Sequence, residues 1–296
     1  MTCQVMEPAL AARYRAAMSH TDRPFGPLLR EWRHRRRVSQ LDLACEGNIS
    51  TRHLSFLETG RARPSRDMVL HLAETLAVPL RDRNILLAAA GFTAEYRERP
   101  LADPALEAAR QAVGLVIQGH MPYPAVAVDR HWTLVTANDA VAPLLNGVAA
   151  ELLRPPVNVL RMSLHPAGLA PRTANLAEWR GHLLDRLRQQ VEASGDPVLV
   201  ALLQELRAYP APQAPRPHRP ARDYAGMVVP FELVTEAGVL AFFSTTTVFG
   251  TPVDVTLSEL ALECFYPADA RTAEILQRGG RGPGVPSSAS IRADRS

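Results

Sequence analysis

Thr51, Arg52, Ser55 and Phe56 fall within six residues, at a spacing that gathers them near the N-terminal end and outer face of one short helix. Their chemistry is recognition rather than reaction. A guanidinium such as that of Arg52 can pair with guanine O6 and N7, and a phenyl ring such as that of Phe56 can meet a thymine methyl. A phosphate contact is the competing role for Arg52. Ser50 precedes them and can cap the helix, because its hydroxyl can accept an otherwise unpaired backbone N–H. Arg61 and Arg63, in the loop after the helix, suit contacts to the nucleic-acid backbone.

Reactive constellations are not found. The chain has no HExxH, no paired cysteine ligands and no GxSxG, and His120, His131 and His165 belong to unrelated segments. All 33 Lys+Arg residues are arginine. Without lysine there is no Walker-type phosphate loop, no pyridoxal Schiff base and no Ser-Lys self-cleavage. Cys3, Cys45 and Cys264 lack metal-type spacing, so no metal or cofactor is expected. The polar residues that suit an apolar pocket are Arg161, His165 and Asn175, as anchors for a carboxylate. Trp179 and Phe243 are candidate walls, with plain core packing as the alternative. Thr245 lies on a hydroxyl-bearing strand face.

The elements that must position these residues follow from local signals. Ser39 can cap one helix and Ser50 the next, and Asn48 falls in the tight turn between them, where a left-handed backbone is needed. Leu43, Ala44, Ile49, Leu54 and Leu57 supply the seam of a helix-turn-helix, whose second helix enters the major groove. Phe25, Leu28, Leu29 and Trp32 form an apolar stripe upstream, followed by Arg33, His34, Arg35, Arg36 and Arg37. Gly60 stops the second motif helix. Ser65 can cap a fourth helix bearing Val69, Leu72, Ala73 and Leu76; Pro79 opens a fifth, with Ile85, Leu86 and Leu87 inside and Gly91 at its end.

Beyond a charged joint at 93–104, the pattern turns to mixed helix and strand. A helix is expected over 105–119, then two short strands within 124–138 turning at Asp129–His131, with Trp132, Leu134 and Thr136 on one face. Asn138 is expected to cap a helix reaching Leu145. Amphipathic helices follow over 175–193 and after Asp196. Residues 209–222 hold five prolines and read as a loop. A hairpin is expected from 227–235 and 239–249, while 257–265 fits either strand or helix. A helix is expected over 267–277, and the Gly-, Ser- and Arg-rich end beyond it reads as disordered.

At 296 residues there is room for about two domains, and 47% hydrophobic content describes a globular protein with a core. No apolar run reaches the length of a membrane span, and the first twenty residues lack the apolar centre of a secretory signal. A cytoplasmic protein without membrane contact is expected. The net charge is only +3, yet residues 23–66 carry ten arginines against Glu31, Asp42, Glu46 and Glu58, a local balance of +6 that suits phosphate contact.

From Pro24 to Gly91 the chain resembles the XRE (Cro/C1-type) helix-turn-helix repressors, through Gln40, Leu43-Ala44, Leu54, Glu58, Gly60, Pro64 and Leu72-Ala73. The resemblance implies that Gln40 clamps a phosphate and that Thr51, Arg52, Ser55 and Phe56 face the bases. Asn48 departs from the usual glycine. From about Ala105 to Leu276, YPAVAVDRHWTLVTAN, NLAEWRGHLLDRL and FFSTTTVFGTPVDVTLSELALECFYPAD resemble the ligand-binding domain of MmyB-like transcription regulators. That implies a PAS-like fold and a fatty-acid-like or other apolar effector. The expected organisation is an all-α helix-turn-helix domain of five helices (24–92), a linker (93–104), an α+β PAS-like ligand-binding domain (105–277) and a tail (278–296). The expected protein is a homodimeric regulator of a double-stranded DNA operator, under control of a small apolar effector and not an enzyme. Two rivals remain open: a small-molecule-converting enzyme fused to a DNA-binding domain, and a constitutive binder whose second domain only dimerises.

Overall fold

The computed structural model describes residues 23–210, 229–249 and 254–279. They divide into two compact units. The first gathers the described residues up to Gln111 with His182–Ala208 and those of Val248–Ala261; the second holds the described residues of Ala112–Gly181, Tyr209–Thr247 and those from Leu262 on.

Among the described residues five helices open the first unit: α1 (Phe25–Arg35), α2 (Gln40–Glu46), α3 (Thr51–Glu58), α4 (Arg66–Thr75) and α5 (Leu80–Ala89). Their boundaries are set by the expected residues. Ser39 accepts from the Asp42 N–H while Asp42 returns a bond to the Ser39 backbone, and Ser50 and Ser65 accept from His53 and Met68. Asn48 takes φ 49°, and Gly60 and Gly91 take φ 74° and 87°, the left-handed values that end helices. The apolar stripes converge on one core in which Leu29, Leu43, Leu54, Leu57, Leu72 and Leu87 are wholly buried. At Gly26 the α1 backbone comes so close to the end of α3 that a Cβ would sit 2.5 Å from the carbonyl oxygens of Leu57 and Glu58.

The joint is ordered against α5. The Asn84 amide accepts from the Glu95 and Tyr96 N–H groups and donates to the Tyr96 carbonyl. This unit also includes the later part of α8 (Leu176–Ser194), all of α9 (Pro197–Ala208) and the one-turn α10 (Val255–Ser258). Asp196 caps α9 and Asp254 caps α10. Arg81 on α5 forks onto both Glu259 carboxylate oxygens, at 2.7 and 2.9 Å.

The second unit is built on a five-stranded sheet in the order β2-β1-β5-β4-β3, from β1 (Ala125–Val128), β2 (Leu134–Ala137), β3 (Phe231–Thr235), β4 (Gly238–Val248) and β5 (Ala261–Pro267). β1 pairs antiparallel with β2, and β3 with β4 through a tight hairpin. The later residues of α6 (Glu107–Gly119), the short α7 (Val159–Leu164), the start of α8 and α11 (Ala270–Gly279) complete it. Phe231, Phe242 and Phe265 form its aromatic centre, with ring centroids 6.2–6.4 Å apart.

Two expectations are corrected here. Trp132 is not a strand residue: it sits buried in the turn before β2 with φ 65°, where the Asp129 carboxylate accepts from the His131 and Thr133 N–H groups. Asn138 caps nothing. Its buried amide accepts from the Ala125 N–H and donates to the Ile117 and Tyr123 carbonyls, and only a 3-10 turn (Ala142–Leu145) follows, with Pro143 lacking an N–H. The ambiguous 257–265 stretch resolves as the end of α10 followed by β5. The proline-rich stretch from 211, the first part of the expected 227–235 strand and the tail beyond 279 lie outside the described residues.

Candidate nucleic-acid interface and second-unit cavity

The capped start of α3 carries Thr51 and Arg52 exposed, with Ser55 and Phe56 half-buried one turn later. Leu54 and Leu57 fix the opposite face in the core. The Arg52 guanidinium lies over the Phe56 ring, 5.4 Å from its centre. The loop after α3 folds back through Arg61 and Ala62 N–H groups onto the Phe56 carbonyl, which leaves Arg61 and Arg63 exposed. Neither has a hydrogen-bond or ion-pair partner among the described residues.

Beneath this surface the charges are locked. Arg33 forks onto Glu58 at 2.6 and 3.0 Å, both side chains being buried, and also donates to the Val38 carbonyl. Gln40 donates to the same Glu58 carboxylate at 2.7 Å. Burial raises the Glu58 pKa, but the hydrogen bonds from Arg33 and Gln40 and the charges of Arg33 and Arg30 outweigh it, holding the carboxyl below its usual range. Glu58 thereby ties the first, second and third helices together and fixes the rotamer of Gln40. Arg36 donates to the Leu76, Ala77 and Ala193 carbonyls, and Arg35 to the Ser194 carbonyl. Much of the basic run therefore holds structure, while Arg37 stays exposed at φ 56°.

The second-unit candidates are not brought together. Trp179 is buried; its indole N–H donates to Ser163 Oγ at 3.0 Å and its ring packs 5.0 Å from Phe231. Asn175 holds β3, donating to the Pro230 carbonyl and accepting from the Glu232 N–H. His165 accepts from the Ala167 N–H and meets Tyr209 edge-on, whereas Arg161 is exposed on α7. Phe243 stacks on Tyr266 and Thr245 is exposed.

A cavity of about 830 Å³ opens elsewhere in this unit, and none of those six residues lines it. Its walls come from Met121 and Pro122, the turn around Pro143 and Leu144, the β3–β4 hairpin with Val234 and Leu240, and Ile275 and Leu276 of α11. Asp139, Glu236 and Arg172 supply charge. Arg172 donates to the Leu144, Asn146 and Val234 carbonyls, bridging the turn and the hairpin. The helix expected over 267–277 is α11, which brings Ile275 and Leu276 to this wall. Arg172 was not legible in the sequence, because its partners lie 26 to 62 residues away. The size and mainly apolar walls suit a small organic molecule.

Residues 24–86 match the model of a helix-turn-helix domain, so the fold and the exposed α3 define a DNA-binding transcription regulator. Residues 109–278 match the MmyB-like transcription regulator ligand binding domain, and the chain belongs to that family. Comparison with curated proteins finds no match. One solved structure, described as that of an RNA-binding light-oxygen-voltage receptor, is 13% identical over 94% of this chain and 68% of that one. Its TM-score is 0.23, a likeness too slight to carry an argument. Among the described residues, no helix is long and apolar enough to cross a membrane and no His/Cys/Asp/Glu group is placed to hold a metal.

Proposed function

We propose that this chain is a cytoplasmic, homodimeric regulator that reads a twofold operator through α3 and releases or tightens it on binding an apolar, fatty-acid-like effector in a PAS-like second domain. The observation that carries this reading is the presentation of Thr51, Arg52, Ser55 and Phe56 on a capped helix flanked by unpaired arginines. Thr51, Arg52, Ser50, Ser55 and Phe56 face the major groove, and Gln40, Arg61 and Arg63 meet phosphates. One such helix covers few base pairs, so two copies about one DNA turn apart supply the specificity. The Arg172 cavity is the place for the effector: an acyl chain gains about 0.8 kcal/mol for each methylene buried, with a polar group fixing its head.

The test combines two measurements on the full chain. A saturated fatty acid of medium length raises the melting temperature, by about 2.7 kcal/mol of stabilisation at a hundredfold excess over Kd. The same ligand changes affinity for an operator selected from random duplexes, since coupling is reciprocal. No thermal shift with any of a panel of fatty acids and acyl esters leaves a dimerisation-only second domain as the better account.

A further inference from the structure

Arg52 and Phe56 stand one turn apart on α3, and the guanidinium already lies over the ring in the protein alone. Arg52 has no hydrogen-bond or ion-pair partner among the described residues. A cation–π contact uses none of the guanidinium N–H groups, so they stay available to an outside acceptor. Those groups match the O6 and N7 acceptors of guanine, and an aromatic or other apolar group matches the C5-methyl of thymine. In the major groove, the C5 substituent of a pyrimidine stands beside the Hoogsteen edge of a guanine that follows it on the same strand. Successive bases rise about 3.4 Å, a step that a guanidinium carbon and a ring centre 5.4 Å apart can span.

We propose that Arg52 and Phe56 act as one unit that reads a 5-methylpyrimidine–guanine step, 5′-TG-3′ in ordinary DNA, in each operator half-site. Arg52 pairs with the guanine and Phe56 covers the methyl of the preceding base. The contact with the ring biases the guanidinium towards this position before binding, so less side-chain freedom is lost on contact. A cytosine methylated at C5 and followed by guanine presents the same methyl and the same acceptors, and it is bound in the same way. The proposal rests on the DNA-reading role of α3 given above.

The test starts with selection of bound sequences from a randomised duplex library, using the full chain. Each enriched half-site contains a TG step, read as CA on the other strand. Replacing that thymine by uracil removes only the methyl and lowers affinity about fourfold. A CG step binds like UG, and 5-methylcytosine in it restores the loss. Replacing the guanine by adenine costs about ten- to a hundredfold. Phe56→Ala abolishes the distinction between thymine and uracil, and Arg52→Ala abolishes that between guanine and adenine. The uracil and 5-methylcytosine duplexes need no variant, so they decide even where Phe56→Ala fails to fold. Enriched half-sites without a pyrimidine–guanine step, or equal binding of the thymine and uracil duplexes, overturn the pairing while leaving α3 a DNA reader. No enriched sequence at all overturns the DNA-reading role itself.

Discussion

The arginines of the helix-turn-helix unit divide between holding structure and facing outward, whereas Arg172 of the ligand-binding unit holds structure beside a cavity. In the helix-turn-helix unit Arg33, Arg35 and Arg36 are neighbours in sequence, and all three are bound by protein acceptors. Among those left outward, Arg37, Arg52, Arg61 and Arg63 sit on turns, loops and a helix start. In the ligand-binding unit Arg172 draws a turn and a hairpin together around a cavity. A dense basic run thus marks where charge is needed, but not which members of it are free. Nearby acceptors decide that in both units: the buried Glu58 carboxylate and several carbonyls in one, and carbonyls alone for Arg172 in the other.

The sharpest break in this comparison is Glu58→Ala. It strands the Arg33 guanidinium in a buried site and releases Gln40, so urea denaturation should show a loss of about 3–5 kcal/mol. The paired change Arg33→Met with Glu58→Leu should recover most of it, since an apolar pair of similar volume avoids desolvating charge. Wild-type stability that survives Glu58→Ala unchanged removes this carboxylate as the anchor of the unit.

Trp179→Ala is the counterpart in the ligand-binding unit. The indole fills the core against Phe231 and donates to Ser163, so its removal should cost about 3–5 kcal/mol. The thermal shift given by a fatty acid should nonetheless persist in whatever fraction folds, because Trp179 does not line the cavity. Loss of the shift with little loss of stability would move the effector site to Trp179.

Acid titration separates the units next. The Glu58 pKa is depressed in the folded state, so its contribution is complete above the ordinary carboxylate pKa of about 4.3 and is lost as pH falls through the lower folded value. Stability measured across that range should fall more steeply in the wild type than in Glu58→Gln. Parallel curves for the two proteins would exclude Glu58 as a source of the acid sensitivity.

These contrasts also show what the sequence could and could not disclose. Serine caps at 39, 50 and 65, the left-handed Asn48 and the stop at Gly60 are decided within a few residues, and all five are where local chemistry puts them. Asn138 and Trp132 carried equally plausible local signals, a cap and a strand face. Asn138 failed because its side chain is claimed by the distant Ile117 and Tyr123, and Trp132 because the turn begun at Asp129 extends over it and leaves it at φ 65°. The Glu58 network spans 25 residues and the Arg172 bridge 62, so neither had a local signature. The long-range polar contacts, not the apolar periodicity, were the illegible part.

Arg172 offers a smaller test of the same point. Arg172→Met keeps the stem but returns the Leu144 carbonyl and those of the exposed Asn146 and Val234 to water, so about 1 kcal/mol or less is the expected loss. The fatty-acid-induced thermal shift should shrink with it if the cavity walls depend on that bridge. A full shift in Arg172→Met would place the effector elsewhere.

The smallest effect belongs to Asn48, in the turn between α2 and α3. Its φ of 49° is costly for most side chains, yet Asn tolerates it, and the residue is exposed. Glycine there relieves any remaining strain but frees the unfolded chain by roughly 0.5–1 kcal/mol, and the two effects oppose each other. Asn48→Gly should therefore change stability by less than about 0.5 kcal/mol and leave operator binding unaltered. Asn48→Val, with a β-branched side chain forced into the left-handed region, should instead lose about 1–2 kcal/mol. Gly and Val variants of equal stability would mean that the turn has another backbone path, and that Asn48 does not set the angle between the two motif helices.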